Sequence, residues 1–291
     1  MRCIVLALWL LVSTVAISAE QIKIVVPFPP GGPNDYFARL ISQELSGVVE
    51  NITGAGGMIA AERVANTKRI ENTLILHSDA MMIALYLSEQ KSYDLRSFSC
   101  IAQIGETYFG LFKHPNSIFS NPKSILSIAD GGVGTTANLA AILAKKYINL
   151  NVVSYRGAGP ALFGFLAKDT DLLLEYVASS VKENMVSGKI ELIATTSSQR
   201  SPKYNVPTMK ELGYTDVIVE PTLFLYSNAK MSDQQKSILN IEVNRIMRTE
   251  RISSQVEAQN FTHKRYNLTE CSNRVLQLET KWQKITKGIS E

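Results

Sequence analysis

The sequence predicts an α/β protein of two domains that face each other across a cleft. Three observations predict it. Short β-branched strands alternate with amphipathic helices along most of the chain, the pattern of βαβ units, largely parallel sheets and right-handed crossovers. Four of the strand–helix junctions are crowded with glycine and proline. The 291 residues, 45% hydrophobic and 19% charged, suffice for two domains of about 130 residues, each with its own core. One sheet cannot take all these strands and still let four glycine loops converge. Two facing sheets can, and they put the loops at strand ends, where ligands bind in open α/β sheets.

The elements follow in order. Residues 1–19 are expected to be a cleaved secretory signal peptide. Arg2 supplies the positive charge, Cys3 to Ile17 are nearly all apolar, and Ala16, Ser18 and Ala19 are small. The apolar run of about 15 residues is short for a span of ~20. Ile22 to Val26 reads as a strand, and Phe28 to Pro33 as a tight loop. Asn34 or Asp35 is expected to cap a helix from Tyr36 to Leu45, whose apolar residues Phe37, Leu40, Ile41 and Leu45 recur at helical spacing. A strand at Val48-Val49 leads to the loop Gly54 to Gly57 and a helix from Met58 to Ala65. Leu74 to Leu76 is a strand ending at His77 and Ser78.

The rhythm then repeats. A strand from Ser127 to Asp130 meets Gly131-Gly132-Val133-Gly134-Thr135-Thr136 and a helix from Ala137 to Lys146. A strand from Val152 to Tyr155 meets Arg156-Gly157-Ala158-Gly159-Pro160 and a helix from Ala161 to Ala167. Asp171 to Tyr176 and Glu191 to Thr195 are short strands. From Ser232 onward the chain reads as mostly helical and charged.

Glycine at these junctions lets backbone approach a ligand and take positive φ. Free N–H groups and the positive dipole end at a helix start attract an anion. Proline fixes the loop before binding, so less order must be gained on binding. One such loop is only a turn, but four together argue for backbone capture of a carboxylate. Rival chemistries lack their motifs. There is no Gly-x-Gly-x-x-Gly after the first strand and no Gly-x-x-x-x-Gly-Lys-Ser/Thr. There is no Gly-x-Ser-x-Gly, no His-Glu-x-x-His and no Cys–His pairing pattern, so no catalytic residue and no cofactor are expected. The net charge of +4 is scattered, which argues against nucleic acid. His77, His114 and His263 stand without ligand spacing, and no metal is expected. Cys100 and Cys271 lie far apart and form no disulfide framework; the sequence favours two unpaired thiols.

Several stretches in order resemble one family. Val25 to Asp35 with Ala38-Arg39-Leu40 looks like the opening motif of the Bug family, the extracytoplasmic solute receptors of tripartite tricarboxylate transporters. So do Val49-Glu50-Asn51 with Gly54 to Gly57, and Tyr93-Asp94-Leu95 with Ser97-Phe98. Gly132 to Thr136 with Leu139-Ala140, Tyr155 to Ala161, and Val206 to Tyr214 continue the series. The resemblance covers nearly all of the chain after residue 19.

The resemblance implies a two-domain periplasmic-binding-protein fold (a Venus flytrap, type II-like) with the ligand in the cleft. Domain 1 would be 20–121 plus 223–291, and domain 2 would be 122–222. The first loop would supply Phe28, Pro29, Gly31, Gly32, Asn34 and Asp35 to the ligand, and the third strand Ser78. The second domain would supply Gly132, Gly134, Thr135, Thr136 and Asn138, then Tyr155, Gly157 and Ala158, and Glu175. The implied function is periplasmic capture of a small carboxylate (a dicarboxylate, aromatic acid or amino acid) for the membrane subunits of the transporter, by a monomer with no chemistry of its own. Signalling to a membrane sensor kinase is the alternative.

Some positions depart from the family's usual residues. Asp130 stands where serine is common, Asn138 where histidine is, Ala158 where serine is, and Glu175 where aspartate is. Pro221-Thr222-Leu223-Phe224 replaces an aromatic-plus-glycine segment. Glu175 either meets a ligand ammonium or is an exposed or Lys-paired glutamate. Arg156 either neutralises the ligand or is a solvated rim residue. Phe28 either covers the ligand or is a structural lid. Tyr155 either donates its hydroxyl or packs, and Asp35 either caps its helix or touches ligand.

Overall fold

The computed structural model describes residues 21–117 and 125–290. The expected signal peptide and the expected domain boundary at 121/122 lie outside the described residues. The chain opens with β1 (Lys23–Val26), α1 (Pro33–Glu44), β2 (Val48–Asn51), α2 (Met58–Ala65), β3 (Thr73–Ser78), α3 (Ala80–Leu87) and β4 (Phe98–Glu106). It continues through β5 (Phe109–Lys113), β6 (Leu126–Asp130), α4 (Thr136–Ala144), β7 (Leu150–Ser154), α5 (Ala158–Leu166), β8 (Leu172–Tyr176), α6 (Ser179–Val186) and β9 (Glu191–Thr195). It ends with β10 (Thr222–Asn228), α7 (Asp233–Met247), α8 (Glu250–Ala258) and α9 (Leu268–Ser290).

Two five-stranded sheets result, ordered β2-β1-β3-β10-β4 and β7-β6-β8-β5-β9. They are mixed, not largely parallel as expected. β10 runs antiparallel to β3 and β4, and β5 antiparallel to β8 and β9. The reversed strand in each sheet is the one that arrives from the other sheet. The strands followed by glycine loops end at the cleft, so a chain crossing the cleft enters the next sheet from that same end and must run the opposite way. The first crossing is at residues 107–108, because β5 already pairs in the second sheet. The return, into β10, is near residue 221.

Both faces of the first sheet are covered, so its inner strands β3 and β10 are buried at every position. Ile24 and Val26 of β1 pack with Phe37 and Ile41 of α1 and Val243 and Ile246 of α7. Val25, between them, faces Met58, Ala61 and Met82 on the other side. In the second lobe, Phe112, Ala129 and Leu173 meet Ala161 and Phe165 of α5 and Val181 of α6. Burying such a side chain stabilises by about 1.5–3 kcal/mol.

Two expectations are corrected. Helix α1 is not capped by Asn34 or Asp35. Its N-cap is Gly32, Pro33 takes the first turn, and no side chain caps it. Proline suits that position because its missing N–H would be unpaired there anyway. The cysteines are not free. α9 lies against β4, which brings the Cα atoms of Cys100 and Cys271 to 5.7 Å, and they form a disulfide across 171 residues of sequence. That separation is why sequence spacing held no sign of it.

Candidate functional site

The start of α1 comes to the cleft from the first lobe, and the starts of α4 and α5 come from the second. Each follows a glycine: Gly32 before α1, Gly132 and Gly134 before α4, and Gly157 before α5. Gly157 has φ +120°, open to glycine but strained for other residues, and a Cβ there would lie 3.3 Å from Pro29 of the opposite lobe. Gly132 has φ +122°, and a Cβ would lie 2.7 Å from the Tyr155 carbonyl oxygen. Glycine at both positions lets the two loops fold this tightly.

Between these helix starts lies a cavity of about 60 Å³. The first N–H groups of each helix have no acceptor within it, and the dipole adds positive potential. From the first lobe, Phe28, Pro29, Gly32, Asn34 and Ser78 line the cavity. From the second, Thr135, Thr136, Gly157, Ala158 and Glu175 do. All ten were expected from the sequence. Among the described residues, no Lys, Arg or His lines it. A largely apolar cavity with backbone donors at the helix starts and no cation is suited to a small anion held by amides.

The other expected residues lie elsewhere. Gly132 and Tyr155 face an adjoining cavity of about 620 Å³ on the far side of Phe28 and Pro29, and exposed Arg156 faces it too. The Tyr155 ring packs over Gly164 of α5, where a Cβ would lie 2.2 Å from its hydroxyl oxygen. Gly31 donates its N–H to Asp35 at 3.0 Å. Asp35 also accepts from Arg39 at 2.9 Å and from Asn51 at 2.9 Å, while Asn51 donates to the Phe28 carbonyl at 3.0 Å. Asp35 thus braces the loop that carries Phe28. Its carboxyl is held below the usual range: burial opposes this, and the bonds from Arg39, Asn51 and Gly31 outweigh it.

Behind the second-lobe loop, Asn138 donates to Asp130 at 2.9 Å and accepts from Gly134 N–H at 3.3 Å. Asp130 also accepts from Gly132 N–H at 2.7 Å and from Ser154 at 3.1 Å. Two departures from the family pattern therefore bond to each other and shape the loop from behind. Thr135 caps α4, accepting from Asn138 N–H at 3.1 Å and donating to the Gly132 carbonyl at 2.7 Å.

Glu175 is neither exposed nor paired with lysine: it is 3% exposed. Its Oε1 accepts from Tyr176 N–H at 2.8 Å. Its Oε2 has no partner among the described residues. Burial, with a smaller contribution from the nearby Asp130 charge, pushes its pKa up to about 8. Phe109 and Tyr176, with ring centroids 4.6 Å apart, add an aromatic wall that the sequence did not reveal. Phe109 starts the reversed strand β5, which no local motif marked.

Thr136 of α4 donates to Asp79 at 3.0 Å, across the lobes. Asp79 begins α3 and also accepts from Trp282 of α9 at 2.9 Å. Burial pushes its carboxyl up to about 7. Below the Phe28 ring sits His77, fully buried, its centroid 5.7 Å away, and burial lowers its pKa to about 3.

A family model for the tripartite tricarboxylate transporter family receptor matches residues 37–285. Protein BugT of Bordetella pertussis is 27% identical over 84% of this chain and 81% of its own length. A Pseudomonas sp. protein from a tcbD-tcbE intergenic region is 29% identical over 67% of this chain, which spans 64% of that relative. Among solved structures, MatC from Rhodopseudomonas palustris with bound malate superposes with TM-score 0.80 at 24% identity, over 91% of this chain and 98% of MatC. The periplasmic binding protein BugD superposes with TM-score 0.83 at 22% identity, over 93% and 97%. The paired sheets are thus those of a periplasmic binding protein. The chain belongs to the tripartite tricarboxylate transporter receptor family, and it is a solute-binding protein, not an enzyme.

Proposed function

We propose that this chain is an exported monomeric receptor that closes two lobes over a small carboxylate and delivers it to the membrane subunits of a tripartite transporter. The observation that carries this is the meeting of three helix starts, from both lobes, at one cavity without a cationic side chain among the described residues. Amides from both lobes on one anion make closure and binding a single event. The lobes are the two sheets with their helices, hinged at 107–108 and near 221. The residues we assign to the ligand are those on the cavity wall.

Related proteins support a carboxylate: MatC was solved with malate, and a second R. palustris protein, matching with TM-score 0.84 at 20% identity, with adipate. The family description favours delivery over signalling. Residues 1–19 have the composition of a signal peptide, and a disulfide suits the oxidising periplasm.

The test is calorimetric titration with malate, succinate, adipate, benzoate, aspartate and glutamate, paired with small-angle scattering. Saturable 1:1 binding of one of them with a smaller radius of gyration is expected. No binding and unchanged scattering across the set would overturn the proposal.

A further inference from the structure

We infer that Glu175 selects a ligand bearing an ammonium group beside its carboxylate, so that the receptor takes an amino acid in preference to a plain dicarboxylate. The inference rests on the receptor reading above. Among the described residues, Glu175 is the one cavity-wall side chain with a buried oxygen lacking a hydrogen-bond partner. Its Oε1 is already engaged by Tyr176 N–H. Oε2 therefore needs a hydrogen-bond partner from whatever fills the cavity, since an unsatisfied buried polar atom is costly. Gly131, on the same wall, has no side chain to cover Oε2: a Cβ there would sit 3.8 Å from it.

The cavity wall carries both the amide ends of α1 and α4, which attract an anion, and Glu175, with Asp130 behind it. Asp130 is already satisfied by Gly132, Asn138 and Ser154, so it asks nothing of a ligand, yet its charge opposes any second anion near Glu175. Among the described residues, no Lys or Arg on the wall offsets the two carboxyls. A dianion could set its far carboxylate against Glu175 only while Glu175 keeps its proton and donates it, with the Asp130 charge still opposing that anion. A zwitterion matches both groups, placing its carboxylate on the helix amides and its ammonium on Oε2. Burial raises the Glu175 pKa to about 8 in the empty cavity, and an ammonium set on Oε2 would hold the carboxyl ionised.

The test compares matched probes by calorimetry on ligand-stripped protein: aspartate with succinate, glutamate with glutarate, and 4-aminobutyrate with butyrate. In at least one pair the amino member is expected to bind tighter by roughly tenfold or more, about 1.4 kcal/mol. Glu175→Gln, nearly the same shape, is expected to bring that ratio close to one, and Glu175→Asp to retain part of it. Melting temperatures confirm that the variants fold, and the wild-type ratios stand without them. Equal or tighter binding of the plain acids in every pair would overturn the inference while leaving a carboxylate receptor. A preference that persists in folded Glu175→Gln would also overturn it. Binding by neither member of any pair, with malate, adipate or benzoate bound, would overturn the inference alone; no binding by any of these acids would remove the receptor reading as well.

Discussion

Thr136 donates its hydroxyl to Asp79 at 3.0 Å, and the bond joins the two lobes. Thr136 stands at the start of α4, on the cavity wall. Asp79 is anchored in the first lobe by Trp282 and by its own N–H, which donates to the Thr222 carbonyl at 3.1 Å. The bond exists only when the lobes are together, so it favours closure at the edge of the cavity. Gly56 and Gly134 approach Ala84 from either lobe, with Cβ positions 3.1 and 3.3 Å from its methyl carbon, which shows how little room the closed contact leaves.

Thr136→Val is expected to weaken ligand binding. In the open form water satisfies Asp79, whereas in the closed form its Oδ1 would be left without a donor. Above pH 7, where Asp79 is ionised, a hydrogen bond to it is worth about 1.5–3 kcal/mol, so affinity should fall by roughly ten- to a hundredfold. Calorimetry checks this, and an unchanged melting temperature of the ligand-free protein would place the effect on closure. Affinity within a factor of about two of wild type would show that the bond does not hold the lobes.

Gly157→Ala is expected to reduce binding at the facing loop. The positive φ of +120° strains any residue but glycine, and the new Cβ would lie 3.3 Å from Pro29. Backbone strain of this kind costs about 1–3 kcal/mol. The second lobe can relieve it alone by tilting the loop, but then the Ala158 and Gly159 amides leave the cavity. Titration of the variant with the best wild-type ligand should show at least a roughly fivefold loss in affinity.

These two sites differ in how far the sequence announced them. Gly157 was legible because a glycine–proline cluster between an apolar strand and an apolar helix is a local signal. The same holds for Phe28 to Pro33 and for Gly132 to Thr136. Asp79 was not legible: its partners Thr136 and Trp282 stand 57 and 203 residues away, and nothing near it is unusual. Strands β4, β5 and β10 were missed for a related reason. β10 is buried at every position, so it has no alternation to read, and its direction follows from where the chain crosses the cleft. Asp130 and Asn138 were noticed as unusual residues, but only the fold shows that each answers the other.

Reduction of the Cys100–Cys271 disulfide, or a double Cys→Ser variant, is expected to destabilise the first lobe by about 2–5 kcal/mol. The bond closes a loop of 171 residues containing the whole second lobe, so it restricts the unfolded chain strongly. Both cysteines are buried within the first lobe's core, at 4% and 0% exposed, so the double variant also loses packing there. Urea unfolding with and without dithiothreitol should move the midpoint downward. Ligand affinity should change little, because neither residue lines the cavity. A midpoint unaffected by reductant would mean that the pair contributes nothing.

The stability of the ligand-free protein should carry a pH signature of Glu175. Burial raises its pKa from an ordinary 4.5 to about 8. A raised carboxyl favours the protonated folded state, so its contribution is fully present below about pH 4.5 and is lost as the pH rises through 8. Asp79 acts in the same sense up to about pH 7. His77 acts oppositely, because its depressed pKa gives stability that is present above 6.5 and lost toward 3. Between pH 6.5 and 8 the histidine is silent, and wild-type stability should fall as pH rises. Glu175→Gln removes one titrating group and leaves Asp79 and His77 in place. The difference in unfolding free energy between wild type and variant should therefore slope downward across that interval, by up to about 1.4 kcal/mol for each pH unit. Chemical denaturation at closely spaced pH values measures it, and a difference that stays flat from about pH 5 to 8 would mean that Glu175 is ionised in the empty cavity.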